Sequence, residues 1–371
     1  MFVADSPMYW RSGIWFHRIQ TPSDALANRG HGVKTIYLGK KGTDISPDII
    51  NWPDTVVFGR TYPDATDPLA AMIQFKKAGK RVLYDMDDDY WTVAKHNPSV
   101  LISSAQKDQY ESLIREADAL ITPSPILAKK FKKLCKKPTF ICPNGINPNV
   151  YLPRTDNHVG TIIGYMGAGS HWRDLMEVSE ALVELHKKYD FLFVIYGITA
   201  ESMDSAMYEY KRAIMHHYAP EKEERLKEIV KFFDECLGKI KFHHIAFRPP
   251  ELHPVALRGA DFDIGIAPLE DTEFNHGKSC IKFYEYASVG TVTLASNVLP
   301  YSSEVDYLAK NTAKDWYNKL EKLIVDVEFR KNLLAKQQKW VTDNRSISAI
   351  GLPWELAIQR PGGLPVLNQR E

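Results

Sequence analysis

Two successive series of alternating strand-like and helix-like segments make up most of the chain. Short apolar segments such as Lys80–Met86 and Ala119–Thr122 are each followed by a longer helix-like segment, as in the βαβ units of a parallel sheet. The alternation stops over residues 147–158, which contain two prolines, and it restarts at Thr161. The pattern therefore predicts an α/β protein with two Rossmann-like parallel-sheet domains that face each other across a cleft.

The chain is long enough for each series to form a hydrophobic core of its own. Its 371 residues exceed what a single core usually organises. We predict a first domain over residues 1–150 and a second domain over residues 151–345. Residues 346–371 form a C-terminal tail, and one interpretation is that this tail packs back on the first domain.

The overall composition is typical of a globular protein without a strong preference for a polyanion. Hydrophobic residues make up 44% and charged residues 25%, and the formal net charge is +1, so a uniformly basic surface is not expected. The four cysteines lack disulfide or metal-site spacing, and neither a signal peptide nor a stretch of about 18 apolar residues occurs. We therefore predict a cytoplasmic protein with reduced thiols and no transmembrane segment, and the pattern leaves the oligomeric state open.

The segment Asp261–Ser296 carries the strongest chemical pattern. An apolar strand is followed by a polar loop and by a helix that we predict to begin near Gly277. Ligands of parallel sheets bind beyond the carboxyl ends of the strands, and the amino end of a helix attracts phosphate. The cationic and hydroxyl side chains near this helix start are Lys278, Ser279 and Lys282. Glu285 follows on the same face, where its carboxylate can accept ribose hydroxyls, so the segment predicts a nucleotide-diphosphate site.

The residues of this segment also carry a resemblance to a known family. Asn275–Ser279, Lys282–Tyr286 and the small-residue strand ending at Ser296 resemble the donor site of the retaining, family-4-like GT-B glycosyltransferases, in a phage and bacterial branch. The resemblance implies an enzyme that moves a sugar from a nucleotide-diphosphate sugar, which we expect to be a UDP-sugar, to a hydroxyl acceptor with retention. It implies donor binding in the second domain and acceptor binding in the first, with no metal or other cofactor required.

The family pattern contains two glutamates eight residues apart, and this chain has only the second. Glu285 matches the glutamate that holds the donor ribose, whereas the first glutamate would fall at Gly277. We therefore expect the transferred sugar to be recognised differently. Asn275 and His276, just before Gly277, are the candidates for that contact.

Glycine-bearing loops elsewhere resemble further parts of the family's donor site. Gly167 and Gly169 would let the backbone approach the phosphates, and Arg173 matches a family residue that binds them. His171 is a candidate catalytic residue that contacts donor or acceptor, although a plain glycine-rich turn explains it equally well. Gly13 is expected to face the donor from the first domain. We interpret Asn144 and Gly145, at the end of the first domain, as structural residues.

Asp87, Asp88 and Asp89 follow a predicted strand of the first domain and permit several interpretations. The resemblance places Asp87 beside the reacting sugar, so Asp87 and Asp88 are candidates for orienting or deprotonating the acceptor hydroxyl. A second interpretation is a carboxylate site for Mg²⁺ or Mn²⁺, which we disfavour because the rest of the chain resembles a GT-B enzyme. For at least one of the three, a helix cap or a solvated charge is sufficient.

The identity of the acceptor stays open. One acceptor class is a hydroxymethylated base in phage DNA, which the compact chain and the phage-like branch suggest. Another is a bacterial surface glycan or a lipid-linked sugar. A different class of function is a non-catalytic protein that binds nucleotide sugars, and the missing glutamate at Gly277 keeps this alternative open.

Overall fold

The computed structural model describes most of the chain in two units built on parallel sheets. The described residues are 1–4, 13–38, 45–60, 67–93, 103–155, 158–167, 171–198, 231, 237–240, 242–246 and 248–359. Within them, each unit contains one six-stranded sheet, and every strand pair is parallel. The predicted fold class is therefore confirmed.

The first unit contains six strands in the order β2-β1-β3-β4-β5-β6. These strands are β1 (Phe2–Ala4), β2 (Thr35–Tyr37), β3 (Thr55–Phe58), β4 (Arg81–Asp85), β5 (Ala119–Thr122) and β6 (Thr139–Ile141). The helices are α1 (Gly13–Trp15), which continues through a π-helical turn (Phe16–Gln20) into α2 (Thr21–Ala27), then α3 (Pro47–Asn51), α4 (Pro68–Lys77), α5 (Ser104–Glu116) and α6 (Pro125–Cys135).

The second unit has the strand order β12-β11-β10-β7-β8-β9. Its strands are β7 (Thr161–Met166), β8 (Phe191–Ile198), β9 (Phe242–Ala246), β10 (Ile264–Ala267), β11 (Val292–Ser296) and β12 (Leu308–Ala309). Its described helices are α7 (Trp172–His186), α8 (His253–Gly259), α9 (Glu273–His276), α10 (Ile281–Ser288), α11 (Ala313–Val325) and α12 (Val327–Arg345). The last helix, α13 (Ile347–Gln359), returns to the first unit.

The central strands are buried from both sides, which explains their continuous apolar sequences. All four residues of β5 and all four residues of β10 are buried. Sheets covered by helices on both faces have such strands because no face of the sheet meets water. Residues from both units join in one buried cluster that includes Phe16, Tyr286 and Trp354. The two units therefore share an apolar contact as well as a cleft.

The helix predicted to begin near Gly277 begins four residues later. Thr272 caps the short helix α9, with its hydroxyl accepting from the Asn275 amide at 3.2 Å. The amides of Gly277 and Lys278 then donate to Phe274 and Asn275 and close the end of α9. These two N–H groups are therefore not available to a ligand, and α10 begins only at Ile281. The helix start was therefore predicted too early, and Lys278 and Ser279 precede the first turn of α10.

The chain passes between the units at two neighbouring points. The amide of Ile146 donates to the Arg345 carbonyl at 2.7 Å, and the Ile347 amide donates to the Ile146 carbonyl at 2.9 Å. A Cβ at Gly145 would lie 2.7 Å from the Arg345 carbonyl oxygen, so this crossing requires glycine. The interpretation of Gly145 as structural agrees with this contact, and the exact domain boundaries stay a prediction.

The described part of the predicted tail contacts the first unit. The Trp354 ring lies 5.9 Å from the Phe2 ring and 4.8 Å from the Arg18 guanidinium, and Glu355 pairs with Arg29 and His31. The part of the tail beyond Gln359 lies outside the described residues. Among the helices that the structure describes, none combines the length and apolar character needed to cross a membrane.

Candidate functional site

A cavity of about 360 Å³ lies between the two units and collects most of the predicted site residues. From the first unit it is lined by Gly13, His17, Asp87, Asp88 and Asn144. From the second unit it is lined by Gly167, His171, Lys278, Ser279, Lys282 and Glu285. Residues that are distant in sequence thus face one shared, partly open space.

The strand order explains why the cavity lies at this position. In the second sheet the chain runs from β7 outward to β8 and β9, and then crosses back to β10 on the other side of β7. The loops after β7 and β10 therefore turn in opposite directions and leave a crevice at the carboxyl edge, where ligands of open α/β sheets bind. Gly167 follows β7 and Leu269 follows β10, and both residues line the cavity.

Two lysines give one side of the cavity a positive charge. The Lys278 ammonium lies 4.8 Å from the centre of the Phe274 ring, and the Lys282 ammonium lies 5.8 Å from that of Tyr165. Among the described residues, no carboxylate lies within ion-pair distance of either lysine. Burial lowers the pKa of Lys282 to about 8, with a further lowering by the charge of Lys278. Asp174 and Glu285 oppose this lowering from a greater distance. A pair of cations without a direct ion-pair partner favours an anionic ligand.

A chain of hydrogen bonds links this charged side to the first unit. The Asn144 amide nitrogen donates to the Ser279 hydroxyl at 2.8 Å, and Arg18 donates to the Asn144 amide oxygen at 2.9 Å. Arg18 also forms a bidentate pair with Asp85, at 2.6 and 2.9 Å. Asn144 thus has a contact with a predicted donor-binding residue, which the interpretation of it as merely structural did not include.

Glu285 is a buried carboxylate at which three hydrogen bonds converge. Its Oε1 accepts from the Tyr151 hydroxyl at 2.6 Å, from His253 Nε2 at 3.1 Å and from His17 Nε2 at 3.2 Å. Burial alone would raise the pKa of Glu285, but His253 and His17 outweigh this effect and hold the pKa well below its usual range. The carboxylate is therefore ionised at neutral pH and remains a hydrogen-bond acceptor.

No sequence pattern indicates the three partners of Glu285. They lie 134, 32 and 268 residues away along the chain, so no fixed spacing connects them. His17 contributes from the first unit, and its partner Glu285 belongs to the second. The contact between His17 and Glu285 exists because the cleft brings the π-helical turn opposite α10.

His171 lies at the amino end of α7, with its ring facing the cavity and Asp174. Its Nδ1 is 2.7 Å from a carboxylate oxygen of Asp174. Burial lowers the pKa of His171 to about 4, helped by the charges of Lys278 and Lys282 and opposed by Asp174. The ring is therefore neutral at neutral pH.

Asp87 and Asp88 face the cavity from the first unit and share one arginine. An Arg60 nitrogen lies 2.7 Å from Asp87 and 2.8 Å from Asp88. Burial raises the pKa of Asp88, with Arg60 opposing this effect. Asp89 turns away and pairs with Lys130. Within the described ranges, no group of three or more His, Cys, Asp or Glu side chains is arranged to hold a metal ion.

Two of the three described glycines that line the cavity, Gly13 and Gly167, were predicted, and they differ in what surrounds them. A Cβ at Gly13 would meet no atom within 4 Å, so the protein itself does not require glycine there. A Cβ at Gly167 would lie 2.5 Å from the Tyr165 hydroxyl oxygen, so glycine is required by packing. Gly169 falls outside the described residues.

Asn275 and His276, the candidates for the sugar contact, do not line the cavity. The Asn275 side chain is buried and donates to the Glu270 carbonyl at 2.9 Å and to Asp174 at 3.5 Å. His276 is bonded to Asp271 on the outer side of the loop. Because α9 begins at Glu273, ahead of the predicted helix, both side chains point away from the cavity. Neither residue belongs to the proposed donor site.

Gly277 and Arg173 also have contacts outside the cavity. A Cβ at Gly277 would lie 2.9 Å from the Leu127 side chain of α6, so this position belongs to the contact between the units. Arg173 pairs with Glu270 at 3.6 Å and stacks on the Trp172 ring at 5.5 Å. Phosphate binding by Arg173 is therefore not supported by its position, and Lys282 is the half-buried cation that lies at the cavity instead.

Solved structures of known proteins resemble this one over nearly its whole length, although no protein-family model and no curated protein matches the sequence. A glycosyltransferase from Rickettsia africae has a TM-score of 0.60 at 14% identity and covers 97% of this chain and 98% of its own. Anabaena HepE, in complex with UDP and glucose, has a TM-score of 0.60 at 12% identity, with 95% and 96% covered. A trehalose-phosphate synthase from Burkholderia xenovorans reaches 0.52 at 13% identity, with 82% and 74% covered. The chain therefore has the GT-B fold.

Proposed function

We propose that this protein is a glycosyltransferase that moves a sugar from a UDP-sugar to a hydroxyl acceptor. The observation that carries the proposal is the pair of lysines, Lys278 and Lys282, which face the inter-unit cavity without a carboxylate partner among the described residues. Their charge suits the diphosphate of a nucleotide sugar. The complex of Anabaena HepE with UDP and glucose supports the choice of a uridine donor for this fold.

In the proposed reaction, the lysines stabilise the leaving group. Breaking the bond between sugar and phosphate leaves negative charge on the diphosphate, and fixed cations in a partly closed cavity lower the energy of that state. Ser279 is hydrogen-bonded by Asn144 and has its own hydroxyl hydrogen to donate to a phosphate oxygen. Because side chains supply the charge, we expect activity to persist in EDTA.

We assign the donor ribose to Glu285. Its ionised carboxylate lines the same cavity as the lysines and lies beyond them on α10. Three hydrogen bonds use Oε1, so the second carboxylate oxygen is the natural acceptor for ribose hydroxyls. The resemblance to the second glutamate of the family pattern supports the same assignment.

We assign the acceptor side of the cavity to Asp87 and Asp88. They face the lysines from the opposite unit, and Arg60 fixes both carboxylates. An acceptor hydroxyl donates naturally to a carboxylate, which orients its oxygen for attack. Retention and the acceptor class, either a hydroxymethylated base in DNA or a glycan or lipid-linked sugar, stay as predictions of the resemblance.

Calorimetric titration with UDP tests the proposal. Each of Lys278→Met and Lys282→Met should weaken UDP binding about tenfold to a hundredfold, because a charged hydrogen bond contributes about 1.5–3 kcal/mol. Lys339→Met is the matched control, since that lysine is exposed and pairs with Asp343 on the surface of the second unit. Equal UDP affinity in all four proteins would refute the assignment of the cavity.

Incubation with UDP-glucose, UDP-galactose or UDP-N-acetylglucosamine tests catalysis, with EDTA in a parallel sample. Release of UDP in the presence of an acceptor, measured together with mass spectrometry of glycan, lipid-linked and hydroxymethylated-DNA acceptors, identifies the acceptor class. Tight binding of a UDP-sugar with neither hydrolysis nor transfer would favour the non-catalytic alternative.

A further inference from the structure

His171 is held by a carboxylate that is itself fixed on two other sides. Asp174 is 4% exposed and accepts the Glu270 amide at 2.8 Å and the Asn275 side chain at 3.5 Å. Its other oxygen lies 2.7 Å from His171 Nδ1. A carboxylate with this many donors cannot rotate without breaking them, so it sets the orientation of the imidazole ring.

The contact with Asp174 also determines which ring nitrogen carries hydrogen. Burial would raise the pKa of Asp174, but the hydrogen bond from His171 outweighs it and keeps the pKa below its usual value. An ionised carboxylate only accepts, so Nδ1 must donate. The other nitrogen of a neutral ring, Nε2, then carries a lone pair and acts as a hydrogen-bond acceptor.

The His171 ring stays neutral after a donor has bound, because the main cause of its lowered pKa does not depend on the donor. Burial is the largest of the causes that lower the pKa of His171, and the lysines come after it. A bound diphosphate would offset the lysine charges, but it would not expose the ring to water. At neutral pH the cavity therefore contains a hydrogen-bond acceptor at His171, on the same side as the cations Lys278 and Lys282.

A hydrogen-bond acceptor at this position favours a ligand group that can donate a hydrogen bond. Diphosphate oxygens carry no hydrogen at neutral pH, so they cannot donate to Nε2. A sugar hydroxyl can donate. The charges of Lys278 and Lys282 act on His171, whereas Glu285, which we assign to the ribose, lies one turn beyond Lys282. The hydroxyls nearest to His171 are then those of the transferred sugar, at the end of the diphosphate away from the ribose.

We propose that His171 recognises a hydroxyl of the transferred sugar and that Asp174 is its positioning residue. The proposal rests on the proposed function, because it requires a nucleotide sugar in the cavity. It assigns the sugar contact to the loop after β7 rather than to Asn275 and His276. Asn275 then acts only indirectly, through its hydrogen bond to Asp174.

Two substitutions that both introduce a side-chain amide, His171→Gln and His171→Asn, distinguish sugar recognition by His171 from a purely structural role. Glutamine places its amide where Nε2 lies, and asparagine places its amide where Nδ1 lies. We measure the affinity for UDP and for UDP-glucose, UDP-galactose and UDP-N-acetylglucosamine by calorimetry. The readout is the sugar increment, defined as the ratio of the Kd for UDP to the Kd for the tightest UDP-sugar.

We expect His171→Gln to keep most of the sugar increment and His171→Asn to lose about threefold to tenfold of it, the range of one neutral hydrogen bond. Asp174→Asn should lose a similar factor, because an amide can donate to Nδ1 and move the ring hydrogen to Nε2. UDP affinity should be unchanged in both His171 variants. For Asp174→Asn only the sugar increment is compared, because the charge of Asp174 also acts on Lys282 and can change UDP affinity itself. Thermal unfolding checks that each variant is folded.

Several outcomes would overturn the inference. If His171 only supported α7, His171→Asn would be the milder change and His171→Gln the more harmful one. If it contacted ribose or phosphate, UDP affinity would fall with that of the UDP-sugars. Failure of the wild-type protein to bind UDP would instead refute the proposed function, and the inference with it.

Discussion

Lys282 is a cationic group of the cavity whose charge changes not far above neutral pH. Burial lowers its pKa to about 8, so in the free protein it loses its proton as the pH rises through that value. A bound diphosphate stabilises the ammonium and raises the pKa again. Proton binding and donor binding are therefore linked at this residue.

This linkage predicts that UDP affinity falls with rising pH. Below pH 8 the lysine is charged in both the free and the bound protein, so affinity is at its maximum. Above pH 8 the free protein must take up a proton to bind, which costs up to about tenfold in affinity per pH unit. Calorimetry between pH 7.5 and 9 measures the slope. Lys282→Met should show weaker but pH-independent binding, and an equally steep slope in that variant would contradict the prediction.

Single residues were most directly predictable from sequence where neighbours along the chain define the site. Lys278, Lys282 and Glu285 fall within one strand–loop–helix segment, and all three line the cavity. His17 and Tyr151 could not be found this way, because they reach Glu285 across 268 and 134 residues. Contacts of that kind depend on the packing of the two units, which no local pattern encodes.

At the scale of elements, the alternation of strands and helices predicted both sheets, and a capping residue changed one boundary. Thr272 starts α9 ahead of the predicted helix, and the turn that follows takes Gly277 into contact with α6. A glutamate at this position, as in the family pattern, would have to displace Leu127. Close packing against Leu127 therefore explains why this protein has glycine at position 277 and not the first glutamate of the family pattern.

We predict that Gly277→Glu lowers the free energy of unfolding by about 1–3 kcal/mol, the usual range for overpacking. Leu127→Ala should cost about 2–5 kcal/mol alone, and less than the sum when combined with Gly277→Glu, because the smaller side chain makes room. Urea denaturation of the four proteins measures the coupling. Gly13→Ala is the control, since a Cβ there meets nothing. Strictly additive effects would contradict the proposed contact.

At the scale of the whole molecule, the last helix belongs to the first unit. Trp354 is fully buried among residues of the first sheet, and its ring nitrogen is 3.4 Å from the Pro143 carbonyl. The sequence indicated a return of the tail only as one interpretation, because residues 346–359 carry no signal for their partner. In the described part of the chain α13 packs against α2, and the assignment of the tail to the first domain stays a prediction.

We predict that Trp354→Ala destabilises the protein by about 3–5 kcal/mol, the range for removing a buried aromatic ring. Leu352→Ala on the same helix is the control, because that side chain is 49% exposed and should cost less than about 0.5 kcal/mol. Urea denaturation followed by tryptophan fluorescence and by circular dichroism measures both. Comparable losses in the two variants would mean that α13 is not anchored through its buried face.

The return of α13 has a consequence for the order of events during synthesis. The first unit is translated early, yet its last helix follows about 200 residues after Ile146. At about 5–20 residues per second, the ribosome needs about 10–40 s to add that stretch. During this time the surface that Trp354 will cover is open to other nascent chains. The second unit can complete its sheet in this interval. The first unit is therefore translated first, but it is the last to be completed, when α13 packs against it.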